Sequence, residues 1–422
     1  MTAAAIFATY LIETCLPIEQ AAEMIAGEQS SGTFLPIPGE TEELKQRSRA
    51  KVLSIRMLDS VATPSLPGGR NGSQNAGASN YQRAEIRLSF PYDNIGPNVP
   101  TLLATVCGNL FELAEHSGCK LLDIDLPDVF GERYPGPQFG IQGTRKLAGV
   151  FDRPILGTIV KPSVGLTPGQ TAALVRELGE AGIDFIKDDE LMANPPHSPL
   201  RERVDAVMYE IHRLADKLGR KIMYAVNISD EVEAMREHHD YVLQAGGSCV
   251  MVSLNHVGWA GVSALRKFSQ LPIHGHRNGW GMLNRHPLLG MAFSAYQKLW
   301  RILGVDHLHV NGFQNKFWEP DESVAQSIAA MNVPVMSGYF AMPVISSGQW
   351  GGQAAKTLQF VGSQDLIYVA GGGIVAHPSG PAAGLRGIQQ AWEAAAAGIS
   401  LEEYALSHTE LKETIAKYGG RK

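Results

Sequence analysis

Cysteine is scarce: the 422 residues carry only Cys15, Cys107, Cys119 and Cys249, and no two form a C-x-x-C pair. The four read as reduced thiols of a cytoplasmic protein. No run rich in Lys and Arg appears and the formal net charge is −6, so neither nucleic acid nor an anionic membrane is an expected partner. No apolar stretch reaches the roughly 18 residues of a membrane span. The N-terminus "MTAAAIFATYLIETCLP" has no basic region and carries Glu13, which argues against a signal peptide. Also missing are a Walker A motif and a G-x-G-x-x-G after an early strand, and that absence weakens an open, doubly wound sheet. Glycine (45) and proline (24) are plentiful, as suits a fold with many short turns.

Residues 1–125 read as a ferredoxin-like α+β domain in the order β-α-β-β-α-β. "AIFATYLIE", "KVLSIRMLD", "AEIRLSF" and "CKLLDIDLP" are its strands, and "PIEQAAEMIAGE" and "TLLATVCGNLFELAE" its helices. "PSLPGGRNGSQNAGASN" is a loop expected to be mobile. Residues 126–153 read as a linker. From 154 to 396, eight short apolar runs ("ILGTIVK", "DFIKDD", "IMYAVN", "CVMVSL", "PIHGHR", "DHLHVN", "PVISSG", "LIYVAGG") alternate with helix-length segments. That pattern predicts a (β/α)8 TIM barrel, an α/β fold. Residues 397–422 read as a helical tail with a fraying end.

Barrel catalytic groups sit at the C-terminal ends of the strands. Here those ends hold Lys161; Lys187, Asp189 and Glu190; His276 and Arg277; His307 and His309, with Lys316 beyond; Ser346 and Ser347; and Gly371, Gly372 and Gly373. Solvated strand ends do not account for that regularity. Along the second run, alternation puts Lys187 and Asp189 on one face and Asp188 on the other. Two carboxylates suit Mg²⁺, and a carbamate formed from Lys187 and CO₂ would add a third anionic oxygen. Burial would help Lys187 lose its proton. The same residues fit a plain ion pair, and local sequence leaves both open. "VAGGGIVAHPSGPAAG" offers backbone N–H groups to a phosphate, and Arg277, His309 and Ser346 suit a second anion. The pairs His274/His276 and His307/His309 invite a zinc reading, but the lysine precedes both pairs, the reverse of the order in metal-dependent amidohydrolases.

The segments "GTIVKPSVGLTP", "GIDFIKDDE", "HGHRNG", "GVDHLHVNG…NK", "PVISSGQ" and "AGGGIVAHPSGPAAG" resemble, in order, the signatures of the RuBisCO large-subunit superfamily. "GEQSSGTF" and "CGNLFEL" do so in the N-terminal region. The resemblance implies that Lys187 is carbamylated and binds one Mg²⁺ with Asp189 and Glu190. It implies acid–base roles for Lys161 and His276, and a mobile loop carrying Lys316. Arg277, His309 and Ser346 would hold one phosphate; Gly348, Gly372, Gly373 and Thr33 would line the other phosphate site. Glu28 and Asn109 would reach in from a partner subunit, so a homodimer, or a larger assembly of dimers, is implied.

The chain departs from the carboxylases at Ser163, which replaces a lysine, and at Trp280 and Phe34. Its loop reads "GFQNKFWEPDE" in place of a glycine-rich hinge. These departures resemble a RuBisCO-like protein of form IV rather than a carbon-fixing enzyme. The shared chemistry is metal-stabilised enolate formation on a sugar phosphate. "HGHRNGWGMLNRHPLLG" and "HVNGFQNKFWE" resemble the sugar-acid branch. The favoured activity is decarboxylation of 3-oxo-isoapionate 4-phosphate in apiose breakdown, followed by the transcarboxylase/hydrolase acting on the same compound. The methionine-salvage enolase of 2,3-diketo-5-methylthiopentyl 1-phosphate comes third. A catalytically silent structural or regulatory relative is the non-enzyme alternative.

Overall fold

A computed structural model describes residues 4–32, 37–67 and 80–420. Thr33, Phe34 and most of the Gly/Ser/Asn-rich loop lie outside the described residues. The chain divides into two compact units: Met1–Pro135 with Gly279–Ile302 and Val335–Gly338, and Gly136–Asn278 with Leu303–Pro334 and Tyr339–Lys422.

The first unit is built on β1 (Ala5–Thr14), β2 (Lys51–Val61), β3 (Tyr81–Pro91) and β4 (His116–Asp125). The sheet order is β4-β1-β3-β2, with antiparallel pairing. This is the ferredoxin-like order expected. Ile6, Ala8, Tyr10 and Ile12 of β1 are fully buried, because alternate residues of a strand share a face. A fifth strand was not anticipated. β10 (Leu289–Met291) pairs parallel with β4, from a segment that interrupts the barrel in sequence.

The second unit is a closed parallel barrel. Its strands are β5 (Ile155–Ile159), β6 (Phe185–Lys187), β7 (Met223–Asn227), β8 (Cys249–Ser253), β9 (Ile273–His276), β11 (His307–Asn311), β12 (Met342–Ser346) and β13 (Ile367–Val369). They coincide with the eight apolar runs. Phe185, Met223, Met251, Met342, Val344 and Ile367 pack together in one buried cluster. Ala148 and Val150 join the same cluster, so part of the expected linker belongs to the barrel core. Residues 126–153 in fact carry helices Phe130–Arg133 and Gly140–Ala148. In "GLTPGQ", Thr167 and Gln170 form a capping box with Pro168 at the first turn. That fixes where the chain leaves the site after β5 and re-enters a helix (Pro168–Glu180). The tail is ordered through Tyr418: helix Thr409–Tyr418 packs on Gly380–Ala397, and Leu411 N donates to Gln390 Oε1 at 3.0 Å. Among the described residues, no helix is long and apolar enough to cross a membrane.

Candidate active site

β6 delivers the central group. Phe185 lies in the barrel core, so Lys187, two residues on, points the same way. Its side chain is 1 % exposed. Nζ donates to the Asp188 carbonyl at 2.8 Å and stands 3.6 Å from Glu190 Oε2. Burial holds the Lys187 amine below the ordinary lysine range, opposed by the nearby Glu190 and Asp189 carboxylates and assisted by Lys161. Asp188 faces the other way, as alternation requires. It accepts from Tyr224 Oη at 2.5 Å and Asn227 N at 2.9 Å, and Arg203 Nε lies 3.3 Å away. That carboxylate belongs to the scaffold.

Asp189 and Glu190 converge with residues from other strands. Lys161, just beyond β5, donates to Asp189 Oδ2 at 2.6 Å and to Ser163 Oγ at 2.7 Å. Glu190 Oε2 stands 3.6 Å from His276 Nε2. Burial would raise the Glu190 carboxyl, but His276, Lys187 and Lys161 together hold it at about 2. His276 is pushed down to about 4, by burial first and then by Lys187, so it is neutral near pH 7. The structure therefore brings Lys161, Lys187, Asp189, Glu190 and His276 into one cluster. Among the described residues, no group of three or more His, Cys, Asp and Glu side chains is placed to hold a metal ion. The cluster offers two carboxylates, and a third anionic ligand would have to come from Lys187.

The other expected groups take the following positions. Arg277 pairs with Glu319 at 3.0 Å, and both are buried. His309 Nδ1 meets Ser346 Oγ at 3.0 Å. Lys316 is exposed on the loop after β11, with its backbone N donating to Ser347 O at 3.2 Å. Gly348 takes a φ of +80°, and a Cβ there would stand 3.2 Å from Lys316 Cβ. Gly372 has nothing within 4 Å of an added Cβ, whereas one on Gly373 would meet Gln349 O at 2.4 Å. Tyr418 Oη donates to Gly372 O at 2.8 Å. In the first unit, Glu28 ends helix Ile18–Glu28, and Asn109 opens a short 3-10 turn. Their segments lie side by side: a Cβ on Gly108 would stand 3.1 Å from Gln29 Oε1.

Two participants were missed from sequence. Asn227 Nδ2 donates to the Asp189 and Glu190 carbonyls, each at 3.2 Å. Its place at the end of the third apolar run was a usable signal. Glu319, which also accepts from Asn311 Nδ2, had none, being one acid among several in "NKFWEPDE".

Comparison with known proteins places the chain in a family. Residues 140–418 match the ribulose bisphosphate carboxylase large chain, catalytic domain, and residues 3–130 match its N-terminal domain. The chain is 49% identical over 417 residues to a 3-oxo-isoapionate-4-phosphate decarboxylase of Rhizobium rhizogenes, covering 98% of both. It is 50% identical over 412 residues to a 3-oxo-isoapionate-4-phosphate transcarboxylase/hydrolase of Xanthobacter autotrophicus, covering 97% of this chain and 98% of that one. The crystal structure of a rubisco-like protein from Burkholderia fungorum superposes with a TM-score of 0.91 at 47% identity, covering 98% of this chain and all of that one. With both of its units matched in order, and with lysine, aspartate and glutamate together at the end of the second barrel strand, the chain belongs to the RuBisCO large-chain family as a RuBisCO-like protein.

Proposed function

We propose that this chain is a Mg²⁺-dependent carboxy-lyase that decarboxylates 3-oxo-isoapionate 4-phosphate and does not fix CO₂. The observation that carries the reading is the cluster of Lys187, Asp189 and Glu190 facing Lys161 and His276. The names of relatives near 49% identity supply the substrate. The residues fit Mg²⁺, because Asp189 and Glu190 offer hard oxygens and a carbamate on Lys187 would offer a third. When bound, such an ion polarises a carbonyl and stabilises negative charge developing on its oxygen.

The proposed substrate is a β-keto acid. Its carboxyl C–C bond breaks, CO₂ leaves, and the electron pair passes to the ketone oxygen. One proton must then be added at carbon. Lys161 Nζ, steered by Asp189 and Ser163, is the donor, and solvent restores its proton. Neutral His276 takes the proton of a substrate hydroxyl as charge develops and returns it to the same oxygen when the carbon is protonated. Lys316 holds the carboxylate before it departs. Ser163 in place of the carboxylases' lysine supports loss of CO₂ over its capture.

Incubation with 3-oxo-isoapionate 4-phosphate, followed by NMR, tests this: one CO₂ per turnover is expected. Formation of 3-phosphoglycerate and glycolate would instead establish the transcarboxylase/hydrolase, the second reading, favoured by the 50% identical relative. Labelled CO₂ entering 3-phosphoglycerate from ribulose 1,5-bisphosphate at an enzymatic rate would overturn both. The proposed assembly is a homodimer in which Glu28 and Asn109 complete the partner's barrel site.

A further inference from the structure

Arg277, the first residue after β9, is met by a carboxylate from the chain's own loop after β11. Its Nη2 donates to Glu319 Oε2 at 3.0 Å, and the two side chains are only 7 % and 1 % exposed. Asn311 Nδ2 donates to the same oxygen, and Ser323 Oγ donates to Oε1 at 2.8 Å. These donors come from three elements: the ends of β9 and β11 and the first turn of helix Asp321–Asn332. The loop that carries Glu319 is held as well. Asn315 Nδ2 donates to the Glu319 carbonyl at 2.9 Å, and Asn315 Oδ1 accepts from Phe317 N at 2.8 Å.

The pair lies inside the site. Burial holds the His309 imidazole well down, and nearby His276, His274, Lys187 and Arg277 add to this. Arg277 is thus a neighbour of His309, and that imidazole brings no second positive charge near pH 7. Guanidinium and carboxylate together sum to zero. A phosphate dianion arriving here would meet the Glu319 carboxylate in a buried setting, where like charges are poorly screened and repel strongly. Driving Glu319 out would strand a carboxylate that has three donors in place, and leaving one member of a buried pair uncompensated is strongly destabilising. A neutral hydroxyl or carbonyl meets no such repulsion.

We infer that Glu319 is a specificity-determining residue: it occupies the guanidinium that a second phosphate would need, so the site takes sugar acids with one phosphate and refuses bisphosphates. The inference rests on the sugar-phosphate reading above and deepens it. The proposed substrate bears one phosphate and one carboxylate, and the carboxylate is assigned to Lys316, three residues before Glu319. One short loop then recruits the carboxylate and closes the site to a second phosphate.

Calorimetric titration of the full-length protein with Mg²⁺ tests this. The probes are ribulose 5-phosphate and ribulose 1,5-bisphosphate, which share a skeleton and differ by one phosphate. The wild type should bind the bisphosphate no more than about threefold tighter than the monophosphate, and a stronger preference overturns the inference. Glu319→Gln keeps the side chain's shape and an acceptor for Arg277 but removes the charge. It should bind the bisphosphate at least about tenfold tighter than the wild type does, the scale of a charge-assisted hydrogen bond, with the monophosphate changed by less than about twofold. Adding Arg277→Gln should cancel that gain, because the guanidinium is what the second phosphate uses. A Glu319 that only braces the loop would alter both affinities alike. Equal changes, a smaller gain, or a gain that survives the loss of Arg277 therefore refutes the inference. Circular dichroism checks the fold, and Glu319→Ala, with the same expectation, replaces a glutamine variant that does not fold. A wild type that does not bind the monophosphate would instead sink the sugar-phosphate reading, and the inference with it.

Discussion

Lys187 is the residue on which two chemistries meet. Buried beside two carboxylates, it can remain an ammonium and neutralise them, or lose its proton and react with CO₂. Its depressed pKa, caused first by burial, favours the second course. Removing the amine ends both. Lys187→Ala should lose at least about 10²-fold in turnover, on the scale of a lost acid–base group, with the fold intact by circular dichroism. Wild-type activity should rise when the enzyme is preincubated with Mg²⁺ and bicarbonate, and vanish in excess EDTA. Activity indifferent to both bicarbonate and EDTA would leave Lys187 as an ion-pair partner.

The histidines buried among the strands make a separate prediction. His307 is held at about 3 and His116 at about 4, each by burial, with His274 and His309 also pushed down. An unfolded chain protonates histidine near pH ~6.5. Below that pH the unfolded state takes up protons that the folded state refuses, so the stability is present above ~6.5 and is lost on the way down to the folded values. Each such group contributes up to about 1.4 kcal/mol per pH unit in that window. The thermal midpoint should fall steadily from pH 6.5 to 4.5. A midpoint that stays flat across that range would contradict the neutral, buried imidazoles.

At the level of elements, the glycine turn after β13, which opens the short helix Gly372–Val375, is where a single methyl group separates two requirements. An added Cβ at Gly373 meets Gln349 O at 2.4 Å, while Gly372 has nothing within 4 Å. Gly373→Ala should destabilise the protein by about 1–3 kcal/mol, the usual cost of overpacking. Gly372→Ala should melt like wild type yet raise KM for the phosphorylated substrate. Equal melting of the two variants would show that the loop yields more easily than its contacts suggest. The same loop illustrates what was legible in the sequence. Eight apolar runs marked the strands because a parallel barrel buries both faces, and charged strand ends marked the site because polar groups there have a reason to converge. β10 was not legible: three residues, Leu289–Met291, are too few for a periodicity. The expected linker misled because the apolar residues that tie it to the barrel core, Ala148 and Val150, are isolated rather than periodic. The imidazoles among the strands were half legible. The H-x-H spacing put each pair on one face, but which nitrogens meet depends on strand register, and Thr144, whose Oγ1 stands 2.8 Å from His307 Nε2, lies 163 residues from it in sequence.

For the molecule as a whole, the question is how many chains make one site. Glu28 and Asn109 lie in the first unit and the lysine–carboxylate cluster in the second. Glu28 ends its helix and Asn109 opens a short turn. A two-fold dimer with shared sites predicts a specific complementation. Homodimers of Glu28→Ala and of Lys187→Ala should each be nearly inactive. In a heterodimer, both lesions fall in one of the two sites and the other site carries neither, by the symmetry of an isologous pair. Heterodimers isolated with two affinity tags should therefore recover about half of wild-type activity per dimer. If each chain built its own site, every site would keep one lesion and mixing would restore nothing. A folded, inactive heterodimer would confine Glu28 to the end of its helix and assign the whole reaction to a single barrel.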